Sequence, residues 1–191
     1  MKVIVWCEKS QIVARAFIEA GHDAVSCDIL PPEHPEWNIP HIQDDALNHL
    51  SGFDLGIGHP ECSYPALSGV RWLHERPERF FDLFEAAAFF NKLKAANIPK
   101  ICLENPLHHK YARALVGKYD QIIQPWQFGE PYTKATCLWL KGLPLLLATL
   151  ILPREQRRPA VWLEPPGENR KANRSRTYPG IAAAMAAQWG K

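Results

Sequence analysis

A chain of 191 residues with a formal net charge of +2, 47% apolar residues and 22% charged residues has the composition of a globular domain, and one domain over residues 1–191 is expected. It has no run of about 18 apolar residues to span a bilayer; the stretch from Leu143 to Leu152 is too short, and Met1-Lys2-Val3-Ile4-Val5 reads as a strand rather than a secretory signal. Its five cysteines are scattered singly at 7, 27, 62, 102 and 137, a pattern that predicts reduced thiols in a cytoplasmic protein and neither a disulfide framework nor a metal centre.

Short apolar runs alternate with helical periodicity along the chain, which predicts βαβ units and a mostly parallel sheet flanked by helices, an α/β architecture. Val3 to Cys7 is the first expected strand. Ser10 is placed to cap a helix whose apolar positions include Ile12, Val13, Ala16 and Phe17, and Gly21 to end it. Ala24 to Asp28 is the second strand. Prolines 31, 32, 35 and 40 then delay regular structure until His41-Ile42, and a short helix follows near Ala46 to Leu50. Phe53 to Gly58 is a strand. A long helix is expected from near Pro77 to about Ala96, counting Phe80, Phe81, Leu83, Phe84, Ala87 and Phe90 among its apolar positions. It leads into a strand over Lys100 to Glu104. A helix near Tyr111 to Val116, strands near Gln121 to Gln124 and Thr136 to Leu140, and an Ala-rich helix from Ile181 to Trp189 complete the series.

Ligands of open parallel sheets bind beyond the carboxyl ends of the strands, so the residues there carry the functional expectation. They are Cys7-Glu8, Asp28, His59 to Cys62 and Glu104-Asn105. Cys62 stands outside the apolar run, in the Pro-rich loop Gly58-His59-Pro60-Glu61-Cys62-Ser63-Tyr64-Pro65. A cysteine that attacks an electron-poor ring carbon needs an acid that protonates the ring as charge develops, and Glu104 is placed to supply one. The other four cysteines lie in strand-like runs and read as packing. His59-Pro60-Glu61 also matches half of a zinc deaminase signature, but no Pro-Cys-x-x-Cys follows it. His108 and His109 read as a helix start or solvent contacts. Trp72, Trp126 and Trp139 read as core or as base-stacking platforms. Arg154, Arg157, Arg158, Arg170, Lys171, Arg174 and Arg176 make a basic segment that is either a solvated loop or a phosphate-binding arm.

The pairing of Pro60-Glu61-Cys62 with Glu104-Asn105-Pro106 resembles the DNA cytosine-5 methyltransferases, in which a Pro-Cys loop carries the nucleophile and a Glu-Asn tripeptide after the next strand carries the acid. Further motifs, His59 to Cys62, Ser68 to Trp72, Glu104 to Pro106 and Lys134 to Trp139, resemble in this order a small class of phage-encoded methyltransferase-like proteins. The resemblance covers nearly the whole chain. It implies a Rossmann-like methyltransferase fold and S-adenosylmethionine-dependent methylation of cytosine C5 in DNA, in a bacterial or phage-infected cell. Cys62, Glu104 and Asn105 would be catalytic. Cys7, Glu8, Ser10, Asp28, Asp45 and Pro60 would hold S-adenosylmethionine, and His59, Ser68, Arg71, Trp72 and Lys134 would meet the substrate, with Arg76 and Arg79 as further phosphate contacts. DNA or a nucleotide is the implied partner, together with a protein partner or a second copy of the chain to supply specificity, because a target-recognition segment has no room. Pro179-Gly180-Ile181 would start a last helix packed beside the first strand. Two positions depart from the pattern. Cys7-Glu8-Lys9-Ser10-Gln11 replaces the Gly-rich turn after the first strand, and Glu61 precedes the cysteine where proline is usual, an adjacent carboxylate that would raise a thiol pKa. These departures motivate two alternatives: a protein that holds a nucleotide or nucleotide-derived signal without turnover, or an enzyme that uses Glu104 on a nucleoside, as in glycosidic-bond cleavage.

Overall fold

In the computed structural model, which describes residues 1–159, 163, 165, 167 and 177–191, seven strands form one sheet in the order β3-β2-β1-β4-β5-β7-β6. The strands are β1 (Lys2–Trp6), β2 (Asp23–Asp28), β3 (His41–Gln43), β4 (Leu55–Gly58), β5 (Lys100–Pro106), β6 (Gln121–Ile123) and β7 (Thr136–Lys141). The first five run parallel, and β7 lies antiparallel to both β5 and β6. The order reverses between β1 and β4, which is the doubly wound, Rossmann-like arrangement expected, with a crevice at the carboxyl ends of those two strands.

The helices are α1 (Ile12–Glu19), α2 (Arg71–Glu75), α3 (Arg79–Lys94), α4 (Lys110–Val116) and α5 (Pro179–Trp189). Helices α1 and α5 cover one face of the sheet, where Val13, Phe17, Ile181, Met185 and Trp189 pack with Val3, Val5, Leu55 and Ile57. On the other face Ala87, Phe90 and Leu93 of α3 pack with Ile4, Trp6, Leu103 and Trp139. The alternation of faces along β1 follows from the two-residue strand period. The last helix packs against α1 on the face of the sheet that carries Val3 and Val5 of β1. No described helix is long and apolar enough to cross a membrane.

Gly21, at φ +85, ends α1: its amide and that of His22 donate to the carbonyls of Ile18 and Phe17. This is a Schellman closure, as the sequence position of Gly21 suggested. Ser10 does not cap the other end. The N-cap is Gln11, without a side-chain cap bond, and the carboxylate of Glu8 accepts from the amides of Val13 (2.6 Å) and Ala14 (3.1 Å) instead. The apolar pattern of α3 also overstates its buried face. Leu83, Ala87, Phe90 and Leu93 are buried, whereas Phe81 and Phe84 are 74% and 53% exposed, because this helix meets the body of the protein along one stripe only. A short helix, α2, forms where the sequence suggested none.

The glycines of β4 have a packing cause. The ring of Trp6 lies across Gly56, and a Cβ there would collide with it. Gly56→Ala should therefore cost about 1–3 kcal/mol through overpacking, measurable as a lowered denaturation midpoint, whereas Gly52 has open space around it and is required by its φ of +85.

Candidate functional site

The carboxyl ends of β1, β4 and β5 bring together Glu8, His59, Glu104 and Asn105, four side chains that the sequence reading had placed at strand ends. Parallel pairing sets this arrangement. Gly58 pairs with Leu103, so the next residues on the two strands, His59 and Glu104, adjoin. His59 Nδ1 lies 2.7 Å from Glu104 Oε2, with side chains only 14% and 10% exposed. Thr177 also donates to Glu104, and Lys134 lies close enough to act on it by charge. Burial alone would push the Glu104 carboxyl up, but the bond from His59 and the positive charges outweigh it, and the net displacement is downward. Burial likewise opposes a charge on His59, and the bond to Glu104 with the charges of Glu104 and Glu8 overcomes it, raising its pKa. The two shifts share one origin, the contact between ring and carboxylate, in which each partner favours the charged form of the other. His59 Nε2 is buried and, among the described residues, has no hydrogen-bond partner.

Glu104 and Asn105 lie within β5 rather than after it, because β7 continues the pairing through Pro106↔Thr136. Asn105 is 1% exposed. Its Nδ2 donates to the Pro60 carbonyl at 2.9 Å, and its Oδ1 lies 3.2 Å from His108 Nε2. Burial, with the neighbouring His109 adding to it, pushes His108 down to about 4; the ring is neutral and donates through Nε2. His109 accepts from the Ala112 amide through Nδ1, capping α4, so its Nε2 carries the proton and donates to the Tyr64 carbonyl at 2.9 Å. His109 thus starts a helix, as one reading had it, but both histidines are buried and neither is a solvent contact. Backbone bonds from His109 to Pro65 and from Leu67 to the Leu107 carbonyl add two more ties. The Cys62 loop is fastened at four points to the segment that follows Glu104.

Cys62 itself is half-buried and its carbonyl accepts from the Ala66 amide. Glu61 is exposed, and its carboxylate accepts from the Ser63 amide at 2.6 Å. Beyond the loop, Arg71 and Arg76 lie against the Trp72 ring at 4.5 and 5.3 Å from its centroid, and Arg79 lies 4.7 Å from that of Tyr64. Ser68 is exposed in the turn before α2. Trp139 is core, 2% exposed. Arg157 lies over Trp126 at 3.5 Å. Arg154 and Arg158 are exposed. Arg170, Lys171, Arg174 and Arg176 lie outside the described residues.

On the other side of the crevice, Glu8 is 3% exposed. Burial pushes its carboxyl up to about 7 against the opposing pull of His59 and the α1 amides. The turn without glycine still makes the bends that glycine favours: Cys7 and Gln11 take φ of +58 and +60, at a cost of roughly 1–2 kcal/mol each. Gln11 is fully buried, donates to Ser26 Oγ and the Ile39 carbonyl, and finds no partner for its Oε1 among the described residues. Ser10 is half-buried in the same turn, and Pro60 is buried. Asp28 is fixed by accepting from the Leu30 amide, beside an Ile29 that is 71% exposed. Asp45, also exposed, caps the turn Ala46–Asn48 by accepting from the Leu47 amide. Ile29 was not singled out from sequence. Its signal was available, an apolar residue directly following the carboxylate that ends β2.

No protein-family model matches the chain, and no curated protein matches it. Among solved structures it is similar to a protein described as a DNA modification methyltransferase encoded within an E. coli prophage, at 17% identity over 80% of this chain and 52% of that one, TM-score 0.49. It is also similar to the Entamoeba histolytica methyltransferase EhMeth, at 12% identity over 80% of this chain and 57% of that one, TM-score 0.49. A triple mutant of Spodoptera frugiperda DNMT2 aligns at 16% identity over 80% of this chain and 55% of that one, TM-score 0.43. The chain spans little more than half the length of these structures.

Proposed function

We propose that the chain methylates cytosine at C5 in DNA with S-adenosylmethionine as methyl donor, as an enzyme of the phage-encoded type. The observation that carries this reading is the fastening of the Cys62 loop to β5 through Asn105 Nδ2 and the Pro60 carbonyl, which keeps a thiol and the Glu104 carboxyl at one sheet edge. Bound S-adenosylmethionine supplies an electrophilic methyl group. The described residues fit its nucleoside half: the Asp28 carboxylate is followed by an exposed apolar side chain, Ile29, and the Asp45 carboxylate is exposed at the cap of Ala46–Asn48. The left-handed backbone at Cys7 and Gln11 keeps the bends of a glycine turn, with Ser10 beside them. Glu8 fixes that turn onto α1, and Pro60 is buried just beyond the end of β4.

The chain's own residues do the rest. The Cys62 thiolate adds to C6 of the pyrimidine, and the electron pair displaced from the C5–C6 bond is drawn toward N3, where Glu104 delivers a proton. C5 becomes the nucleophile that takes the methyl group. Loss of the C5 proton to a base then expels Cys62, and the N3 proton returns to Glu104. Asn105 holds the loop rather than the ring. A base must leave the stack to reach this edge, or arrive on a single strand. Arg71, Arg76 and Arg79, with Trp72, Ser68 and Lys134, make the surface that receives the nucleic acid; the guanidiniums offer phosphate contacts, which position without specifying sequence. Incubation of the full chain with cytosine-containing DNA and labelled donor is the test. Methyl transfer by the native protein and its loss in Cys62→Ala is the expected pair of results, and equal label from both proteins would sink the reading.

A second reading is favoured by the buried Gln11 side chain in place of glycine: a fold that holds a nucleotide without turnover. Calorimetry separates the two, since tight S-adenosylmethionine binding supports the enzyme and nucleotide binding without donor affinity supports the binder.

A further inference from the structure

Of the strand-end cluster, Glu104 carries a step of the proposed chemistry and Glu8 and Asn105 hold backbone, while His59 has been given neither kind of role. It stands at the carboxyl end of β4, and its Nδ1 is 2.7 Å from Glu104 Oε2. That oxygen is engaged by the ring, and Thr177 donates to the same carboxylate. A carboxylate in this geometry has no proton of its own to give. We propose that His59 is a positioning residue that supplies Glu104 with the proton it delivers: as N3 takes a proton from Glu104, Nδ1–H of His59 passes one to Oε2.

The step balances. Imidazolium, carboxylate and pyrimidine become imidazole, carboxylate and N3-protonated adduct, and the reverse transfer resets the pair when Cys62 leaves. The inference rests on the methyltransferase reading through the role of Glu104. Three features support it. Both partners are almost wholly enclosed, so bulk water does not compete for the proton. Among the described residues the ring's hydrogen bond is the one at Nδ1, so Glu104 is the acceptor in line for its proton. The charged groups that act on the ring are Glu104, Lys134 and, once it ionises at about 7, Glu8, and the adjoining Glu104 carboxylate favours the cation. Its pKa is accordingly raised, so the relay is loaded at low pH and empties as pH rises through the raised His59 value. Cys62 needs the opposite change, and the rate should pass through a maximum.

The full-length protein tests this with three readouts: methyl transfer, release of tritium from C5-labelled cytosine in an oligonucleotide, which needs Cys62 and N3 protonation alone, and ¹⁵N NMR of the His59 ring. His59→Gln retains a donor toward Glu104 and guards against a folding defect in His59→Ala. The expected result is a loss of about 10²-fold in exchange in both variants, disappearance of the alkaline limb, and an imidazolium signal in the native protein that reverts toward neutral in Glu104→Gln. An active native protein whose His59 variants keep its rate and pH profile would overturn the relay and leave the methyltransferase reading standing. A native protein that neither methylates nor exchanges overturns both. A neutral His59 ring at about pH 6, unmoved by Glu104→Gln, overturns the relay whatever the activity.

Discussion

Glu104→Gln is expected to lower both methyl transfer and C5 exchange by about 10²–10⁴-fold while the protein stays folded. The amide is close to isosteric with the carboxylate, so it can still accept from His59 Nδ1 and from Thr177, the two bonds that Glu104 makes. It cannot deliver a proton to N3. Glu104→Ala is a different experiment, because it leaves a buried imidazole unpaired beside Glu8 at a cost of roughly 3–5 kcal/mol, and a loss of activity there would report unfolding as much as chemistry. The comparison that decides is therefore Glu104→Gln against native at matched thermal midpoint. A rate within a few-fold of native would remove Glu104 from the proposed reaction and with it the acid half of the mechanism.

Much of the site's layout could be read in the letters because strand ends are marked by where apolar runs stop. Cys62 outside its run and Glu104-Asn105 at the end of theirs needed only the rule that parallel sheets bind ligands at one edge. The His59–Glu104 pair needed the register as well. A slip of one residue between β4 and β5 would have turned one side chain to the other face, and nothing local to Gly58-His59-Pro60 fixes that pairing. It could have been inferred by noting that each residue ends its strand run. The buried roles of His108 and His109 were hidden for a similar reason: their partners, Asn105 and Tyr64, are set by how two loops meet, and polar letters in a loop read as solvent contacts. By proximity the sequence offers Ser10 as the cap on α1. The left-handed turns at Cys7 and Gln11 carried the chain round so that a carboxylate further back reached the first free amides, and propensity rules do not see left-handed turns in residues that rarely adopt them.

The stability of the protein should fall as pH rises from about 5 to about 8, against the usual plateau, and Glu8 should be the main cause. Its carboxyl titrates at about 7 in the fold against an ordinary value of 4.5, because burial penalises the charge more than the Val13 and Ala14 amides and His59 compensate it. The folded state therefore holds a proton that the unfolded state releases. The contribution is fully present below the ordinary carboxyl value and is lost as pH climbs through the folded one, about 3 kcal/mol in all, or roughly 5–10 °C in midpoint for a chain of this size. His59 adds to the same slope. Its raised pKa stabilises below the ordinary imidazole range and that share disappears as pH passes the raised value, whereas the lowered Glu104 contributes only above the ordinary carboxyl range and is constant here. Glu8→Gln removes the larger share. It gives up one of the two amide bonds at α1, about 1 kcal/mol, but cannot ionise, so the variant should be less stable than native at about pH 5 and more stable at about pH 8. Thermal unfolding of both proteins across that range measures the crossing. Parallel curves with no crossing would mean that Glu8 is ionised throughout and held by the α1 amides as an ordinary helix cap, and that the crevice beside it tolerates a full negative charge.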